Sequence, residues 1–211
     1  MSQITTVKRA PHKAREDEES KDKILRRAIT AHVGIQIDGQ PFVLPVLVAP
    51  FKDGLVLHGS TASRLFKALA SGAKACVTIT LIDGLVLARS TFHSSMHYQS
   101  LMAFGQGKLI EGDEKRAALQ ALSDHLMPGR RAELRKSTEK ELKATSIIFF
   151  PLDEYSIKVS NSAPKDDLED LDTKVWAGVL PMQTIYGQPI EAPDLKFDLT
   201  PPEYLKDWPL R

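Results

Sequence analysis

The sequence has a single cysteine, Cys76, in 211 residues. One thiol cannot build an internal disulfide framework. In the apolar run AKACVTIT it reads as a small buried hydrophobe rather than a reactive thiol. Aromatic residues are scarce, at 7%, which argues against a barrel that stacks nucleic-acid bases on exposed rings. Charge of one sign is missing too. The 28 basic residues face 27 acidic ones, for a net charge of +1, and a balance so even gives no general pull toward nucleic acid or anionic lipid. The longest apolar runs, LPVLVAP and IIFFPL, fall far short of the roughly 20 residues a membrane helix needs. The first residues, MSQITTVKRAPHKAR, hold no apolar stretch of signal-peptide length. The expectation is a cytoplasmic protein with no nucleic-acid or membrane partner. Also missing are a P-loop, a G-x-G-x-x-G after a strand, H-E-x-x-H, G-x-S-x-G and zinc-type Cys/His spacing. Nothing local marks a catalytic residue or a metal site.

What is there is a chain of one-domain length, 42% apolar and 26% charged, large enough to bury a core without disulfides or metal. Residues 1–19 form a polar arm with a basic cluster and then an acidic run. Residues 20–185 alternate short periodic segments with turn signals. The segment 186–211 is rich in proline and reads as an irregular tail packed on the rest. Helical spacing of Ile24, Leu25, Ala28 and Ile29 predicts a helix over SKDKILRRAITAH, capped by Ser20. HVGIQI, Asp38-Gly39 and PFVLPVLVA predict a hairpin, as do the pairs Asp53-Gly54 and Asp83-Gly84 with their flanking runs. GSTASRLFKALASG predicts a short helix capped by Ser60 or Thr61. Further strands fall over 97–112, where Gly105 and Gly107 imply a bulge or close approach, and over ATSIIFFPL, EYSIKVS and VWAGVLPM. Asp113 opens an amphipathic helix that Pro128-Gly129 stops. Thr138 and Glu141 have capping-box spacing for another. The fold class is therefore mainly β: an antiparallel barrel with peripheral helices.

Two segments could carry chemistry. In LHGSTASR, residues 57–64, a strand ends at His58, turns through Gly59 and enters a helix past Ser60, Thr61 and Ser63. Its hydroxyls, with Arg64, make a candidate anion cradle, against the reading of an ordinary capped helix. In ARSTFHSSMHYQS, Arg89, His93, His97 and Tyr98 crowd among serines between apolar flanks, so their polar groups need partners. His93 and His97 are four apart, but strand-like flanks and no third ligand argue against metal. Trp176 beside Gly178 could stack on a ligand or anchor a subunit contact.

Together GQPFVLPVLVA, LVLHGSTASR, VTITLIDGLVLARSTFHSSMHYQS, FGQGKLI, LMPGR, ELKATSI and VWAGVLP resemble the flavin-nucleotide-binding proteins of the pyridoxamine 5'-phosphate oxidase-like superfamily, in the branch that includes nitroimidazole-resistance proteins. The resemblance implies a six-stranded FMN-binding split barrel that is homodimeric, with two interfacial clefts. It implies FMN rather than FAD, with the ring against Val43, Leu44 and Pro45. The phosphate would lie on the segment after His58, chiefly at Ser60, Ser63 and Arg64, with His58 and Gly59 also in the flavin site. Tyr98, Gln99, Ser100 and Trp176 would complete the cleft, the first three from the partner subunit. The chain departs from the pattern at Gln99, where an arginine is expected, and at Ser160, where a basic residue is expected; both losses weaken anion binding. The function implied is that of an FMN-dependent oxidoreductase acting on a small molecule, with His58 and Arg89 as substrate contacts. The alternative is a non-catalytic flavin- or small-anion-binding protein. Pyridoxamine phosphate itself fits poorly, because AGVLPMQ after Trp176 holds no arginine or histidine.

Overall fold

The computed structural model describes residues 3–206 and 208. A 3-10 turn at Pro11–Lys13 leads to β1 (Ala14–Arg15), α1 (Glu18–Arg27), β2 (Thr30–Ile37), β3 (Gln40–Phe51), β4 (Gly54–Ser60), α2 (Arg64–Ala70), β5 (Lys74–Leu87), β6 (Ser95–Gln106) and β7 (Lys108–Leu109). Then come α3 (Gly112–Leu126), α4 (Glu139–Ala144), β8 (Thr145–Pro151), β9 (Glu154–Ser160) and β10 (Gly178–Pro181). Every pairing is antiparallel.

The strands run β6-β5-β2-β3-β4-β8. β7 leaves β6 after a one-residue break at Gly107 and pairs with β8. The last strand thus returns to the first, and the sheet closes as a six-stranded barrel. Gly107 is needed because a Cβ there would stand 2.3 Å from the Ile148 side chain. β9 and the short β1 extend the sheet from the other edge of β6. Inside lie Val33, Val48, Leu55, Leu57, Val77, Leu101 and Ile148, all at most 1% exposed. α2 plugs the interior with Leu65, Phe66 and Leu69. α3 packs outside the barrel, with Ala118 and Leu122 against Ala49, Val56 and Ile147.

The Asp38-Gly39 hairpin is confirmed, with φ of 50° and 80° at its two turn residues, the primed geometry that pairs twisted strands. The capping box at Thr138 and Glu141 also forms. Three local expectations are corrected. The first helix is capped by Asp17, whose carboxylate takes the Ser20 N–H at 2.7 Å, and it stops at Arg27. Glu18 and Glu19 suit the N-terminal dipole, while residues 30–32 go to β2. The second hairpin turns on Lys52 and Asp53, since Gly54 already pairs with Phe51. Asp83-Gly84 is no turn at all. It is an irregularity inside the 14-residue β5, where the register shifts between Ile82 and Gly84. The connection back to β6 is instead the serine-rich loop at 88–94.

Past that bulge, β5 no longer meets β2. Residues 84–86 pair with β6 on one side, and residues 84–87 pair with β10 on the other. The result is a three-stranded arm beyond the end of the barrel.

Candidate functional site

The N-terminal half of β3 is apolar yet uncovered. Val43 is 67% exposed, Leu44 38% and Leu47 42%, and Pro41 and Pro45 are exposed as well. Adjacent strand residues point to opposite faces: Pro41, Val43, Pro45 and Leu47 make the open face, while Phe42 and Val46 on the other pack against the core. The segment 58–64 adjoins it, because His58 pairs with Leu47. Arg64 reaches back to lay its guanidinium over the Phe42 ring, 4.2 Å from the centroid. Stacking fixes the guanidinium while leaving its N–H donors free. Among the described residues Arg64 has no acidic partner, whereas Arg27, Arg89, Arg116, Arg130, Arg131 and Arg135 each have one.

The turn is tied by hydrogen bonds within itself and to the end of α4. The Ser60 Oγ accepts the Ala62 N–H at 3.1 Å, the Ser63 N–H donates to the Ser60 carbonyl, and the Thr61 N–H donates to the Ala144 carbonyl at 3.0 Å. Ser63, not Ser60 or Thr61, is the N-cap of α2, and its hydroxyl makes no capping bond. Gly59 is required by packing, since a Cβ there would be 2.1 Å from the Phe66 ring. His58 faces outward between Leu47 and Ile147. Burial pushes its imidazole below the usual histidine pKa, which favours the neutral form.

Tyr98, Gln99 and Ser100 lie on β6, separated from β3 by β2 and β5. That is three strand spacings, roughly 14 Å around the sheet. One chain does not bring them to Arg64. Gln99 is buried, and its amide N–H donates to the Asp83 carboxylate at 2.7 Å. Arg27 bonds the other oxygen at 2.7 Å. Burial pushes the Asp83 carboxyl up, but the bonds from Arg27 and Gln99 outweigh it and hold the group below its ordinary range. Tyr98 lies under the Lys13 ammonium, 5.7 Å from the ring centroid. Ser100 is half-buried opposite Thr80 and Lys158.

Arg89 is taken up by Asp166, which accepts its backbone N–H at 2.7 Å and its guanidinium at 2.8 Å. It is therefore no free cation for an anionic substrate; only its Nε is buried without a partner. His93 contacts Asp167, and His97 contacts the Ser162 carbonyl. These contacts strap the 161–167 segment to the 88–97 loop. Trp176 is 69% exposed, with its ring against Gly178. Reasoning from the sequence missed Asp83, Arg27, Phe42 and Asp166. The only signal for Asp83 was a dipeptide that reads as a turn. Among the described residues no group of three or more His, Cys, Asp or Glu is placed to hold a metal ion, and no helix is long and apolar enough to cross a membrane.

The family model described as pyridoxamine 5'-phosphate oxidase matches residues 17–159. A solved structure described as the FAD and haem binding protein from Mycobacterium smegmatis is 42% identical, covering 92% of this chain and 96% of that one with a TM-score of 0.89. A flavocytochrome from Azotobacter vinelandii is 37% identical over 100% of this chain and 98% of that one, with a TM-score of 0.92. A putative 5-nitroimidazole antibiotic resistance protein from Bacteroides thetaiotaomicron is 26% identical, covering 69% of this chain and 86% of that one, with a TM-score of 0.58. A search of curated proteins found no match.

Proposed function

The chain belongs to the pyridoxamine 5'-phosphate oxidase family, and on that premise we propose that it is a flavin-binding redox protein whose cleft forms between two copies. The observation that carries the reading is Arg64. It is a guanidinium fixed by stacking on Phe42, without an acidic partner among the described residues, beside an apolar strand face that is open. That donor set fits a flavin. The planar ring is matched by Val43, Leu44 and Pro45, and the phosphate by Arg64 with the hydroxyls of Ser60 and Ser63. A bound flavin would supply hydride or electron transfer, for which no acid–base side chain is required. The chain's own residues bind and orient it. Tyr98 and Ser100, remote from Arg64 in one chain, fit the role of completing the cleft from the second copy. Gln99 does not fit it, being committed to Asp83.

The single phosphate cradle supports FMN. The two near-full-length solved structures, one described as binding FAD and haem and one as a flavocytochrome, favour FAD, which we adopt as the proposed flavin. They also support a second group, haem. His58 is the residue that would hold haem iron: burial favours its neutral imidazole, the form that ligates metal, and no side-chain hydrogen bond from it occurs among the described residues. The test is the visible spectrum of the purified full-length protein, followed by mass analysis of the flavin released on denaturation. Retained flavin bands support the reading, and the released mass separates FMN from FAD. A Soret band that His58→Ala abolishes supports haem at His58. A protein that retains neither added flavin refutes the flavin reading.

A further inference from the structure

A groove of about 510 Å³ opens between α3 and the chain that leads into α4. That volume falls within the range of small-molecule clefts. α3 supplies one wall and residues 131–137 supply the other, and none of the groove's lining belongs to the turn at 58–64. Three leucines line it. Leu142 is buried, Leu119 is half-buried and Leu134 is 46% exposed. Leu134 packs into neither core cluster of the chain.

The charge around these leucines is sorted by side. Arg116, Arg131, Arg135 and Lys136 line the groove, and no carboxylate does. Arg116 donates to Glu139 at 2.7 Å, Arg131 forks onto both oxygens of Asp124 at 2.7 and 2.9 Å, and Arg135 forks onto Glu141. All three acids stand outside the lining. The pairs tie α3 to α4, residue 131 to α3 and residue 135 to α4, so the walls are stapled in place. The Arg135 guanidinium and the Thr138 N–H hold the Glu141 carboxyl down to about 2, so that staple is charged at neutral pH. A guanidinium carries five N–H donors, and the bonds to protein acceptors leave each of the three with donors to spare. Lys136 forms no ion pair among the described residues.

Positioned cations beside uncovered leucines select for two properties in one ligand. A bare inorganic anion leaves the leucines wet, and a neutral hydrocarbon leaves the cations without an acceptor. The lining holds no His, Cys, Met or Tyr, so a metal-centred group finds no axial ligand there. A planar carboxylate matches the guanidinium fork.

We propose that this groove binds a small aliphatic carboxylate, its head held by Arg131, Arg135 and Lys136 and its chain laid on Leu119, Leu134 and Leu142. The site is separate from the flavin cleft and stands without it.

The test is isothermal titration of the full-length chain with decanoate below its micelle concentration. Acetate and decyltrimethylammonium are the controls for chain and for charge. Decanoate is expected to bind at least about tenfold more tightly than either. Lys136→Glu and Leu134→Asp change exposed side chains. Each is expected to weaken decanoate by about tenfold or more, with melting temperature and flavin affinity unchanged. No binding of decanoate, equal binding of the decyl cation, or binding indifferent to both variants overturns the site. Binding that Arg64→Ala removes and Lys136→Glu leaves intact belongs to the turn at 58–64, and overturns it too. A chain that binds decanoate in the Lys136-dependent way but takes up no flavin supports the groove and refutes the flavin reading.

Discussion

The side-chain amide of Gln99 donates to one oxygen of Asp83 while the Arg27 guanidinium takes the other, each at 2.7 Å. Three elements meet at that carboxylate: the end of α1, the bulge of β5 and the middle of β6. The place where β5 leaves the barrel is thus pinned by a charge-assisted triad.

Removing either donor leaves Asp83 partly unsatisfied in a site about three-quarters shielded from water. Arg27→Ala and Gln99→Ala are each expected to cost about 1–3 kcal/mol in urea unfolding. Because both act on one carboxylate, the double variant should cost less than the two single effects added. Strict additivity would show that the triad is not a unit.

Arg64→Ala is expected to leave stability nearly intact, since a partly exposed cation–π contact is worth about 0.5–1 kcal/mol. Flavin affinity should fall by roughly tenfold or more, the scale of a lost charge-assisted bond to phosphate. Arg64→Lys should recover only part of it, because an ammonium neither stacks as a plane nor offers a fork. Fluorescence titration with FMN and FAD reads both variants; unchanged affinity in Arg64→Ala would remove the phosphate assignment.

His58 gives a signed pH dependence. Its folded pKa is lowered by burial, so below the ordinary histidine value the unfolded chain binds the proton more readily. Its contribution to stability is complete above about pH 6.5 and is lost as pH falls through the lowered value. His58→Phe is expected to flatten stability across that window, measured by melting temperature from pH 7 down to 5. An unchanged slope would assign the dependence to other groups.

Gly59→Ala places a methyl group where Phe66 already sits. Overpacking of this kind costs about 1–3 kcal/mol. Phe66→Leu added to Gly59→Ala should restore part of the loss, whereas Phe66→Leu alone should destabilise. If the double variant is no better than the single, the glycine answers to something other than the ring.

Much of the barrel was legible because its signals are local. Asp38-Gly39 supplies both positive-φ residues that a two-residue turn needs, and the alternation in β2 and β5 marks the inner face. Asp83-Gly84 carries the same chemistry and means something else. What decides it is Arg27 and Gln99, 56 residues before and 16 after, which hold the carboxylate inside a continuous strand. The candidate site divides in the same way. His58 to Arg64 is one contiguous turn and could be read directly. The stacking of Arg64 on Phe42 links positions 22 apart, and Arg89 is claimed by Asp166 from 77 residues further on. No periodicity announces such partners, because they are set by which strands become neighbours.

The closure of the barrel through β7 and β8 has a consequence for the order in which the protein can be made. β4 is complete at Ser60, but its second neighbour starts at Thr145. A chain emerging from the ribosome therefore carries an open sheet, with the outer edge of β4 unpaired, for more than eighty residues of synthesis. Unpaired edges of that kind recruit strands from other molecules. A fragment ending before β8 is then not a smaller form of the protein but an adhesive one, and the last seven residues of the barrel, 145–151, act as its fastener.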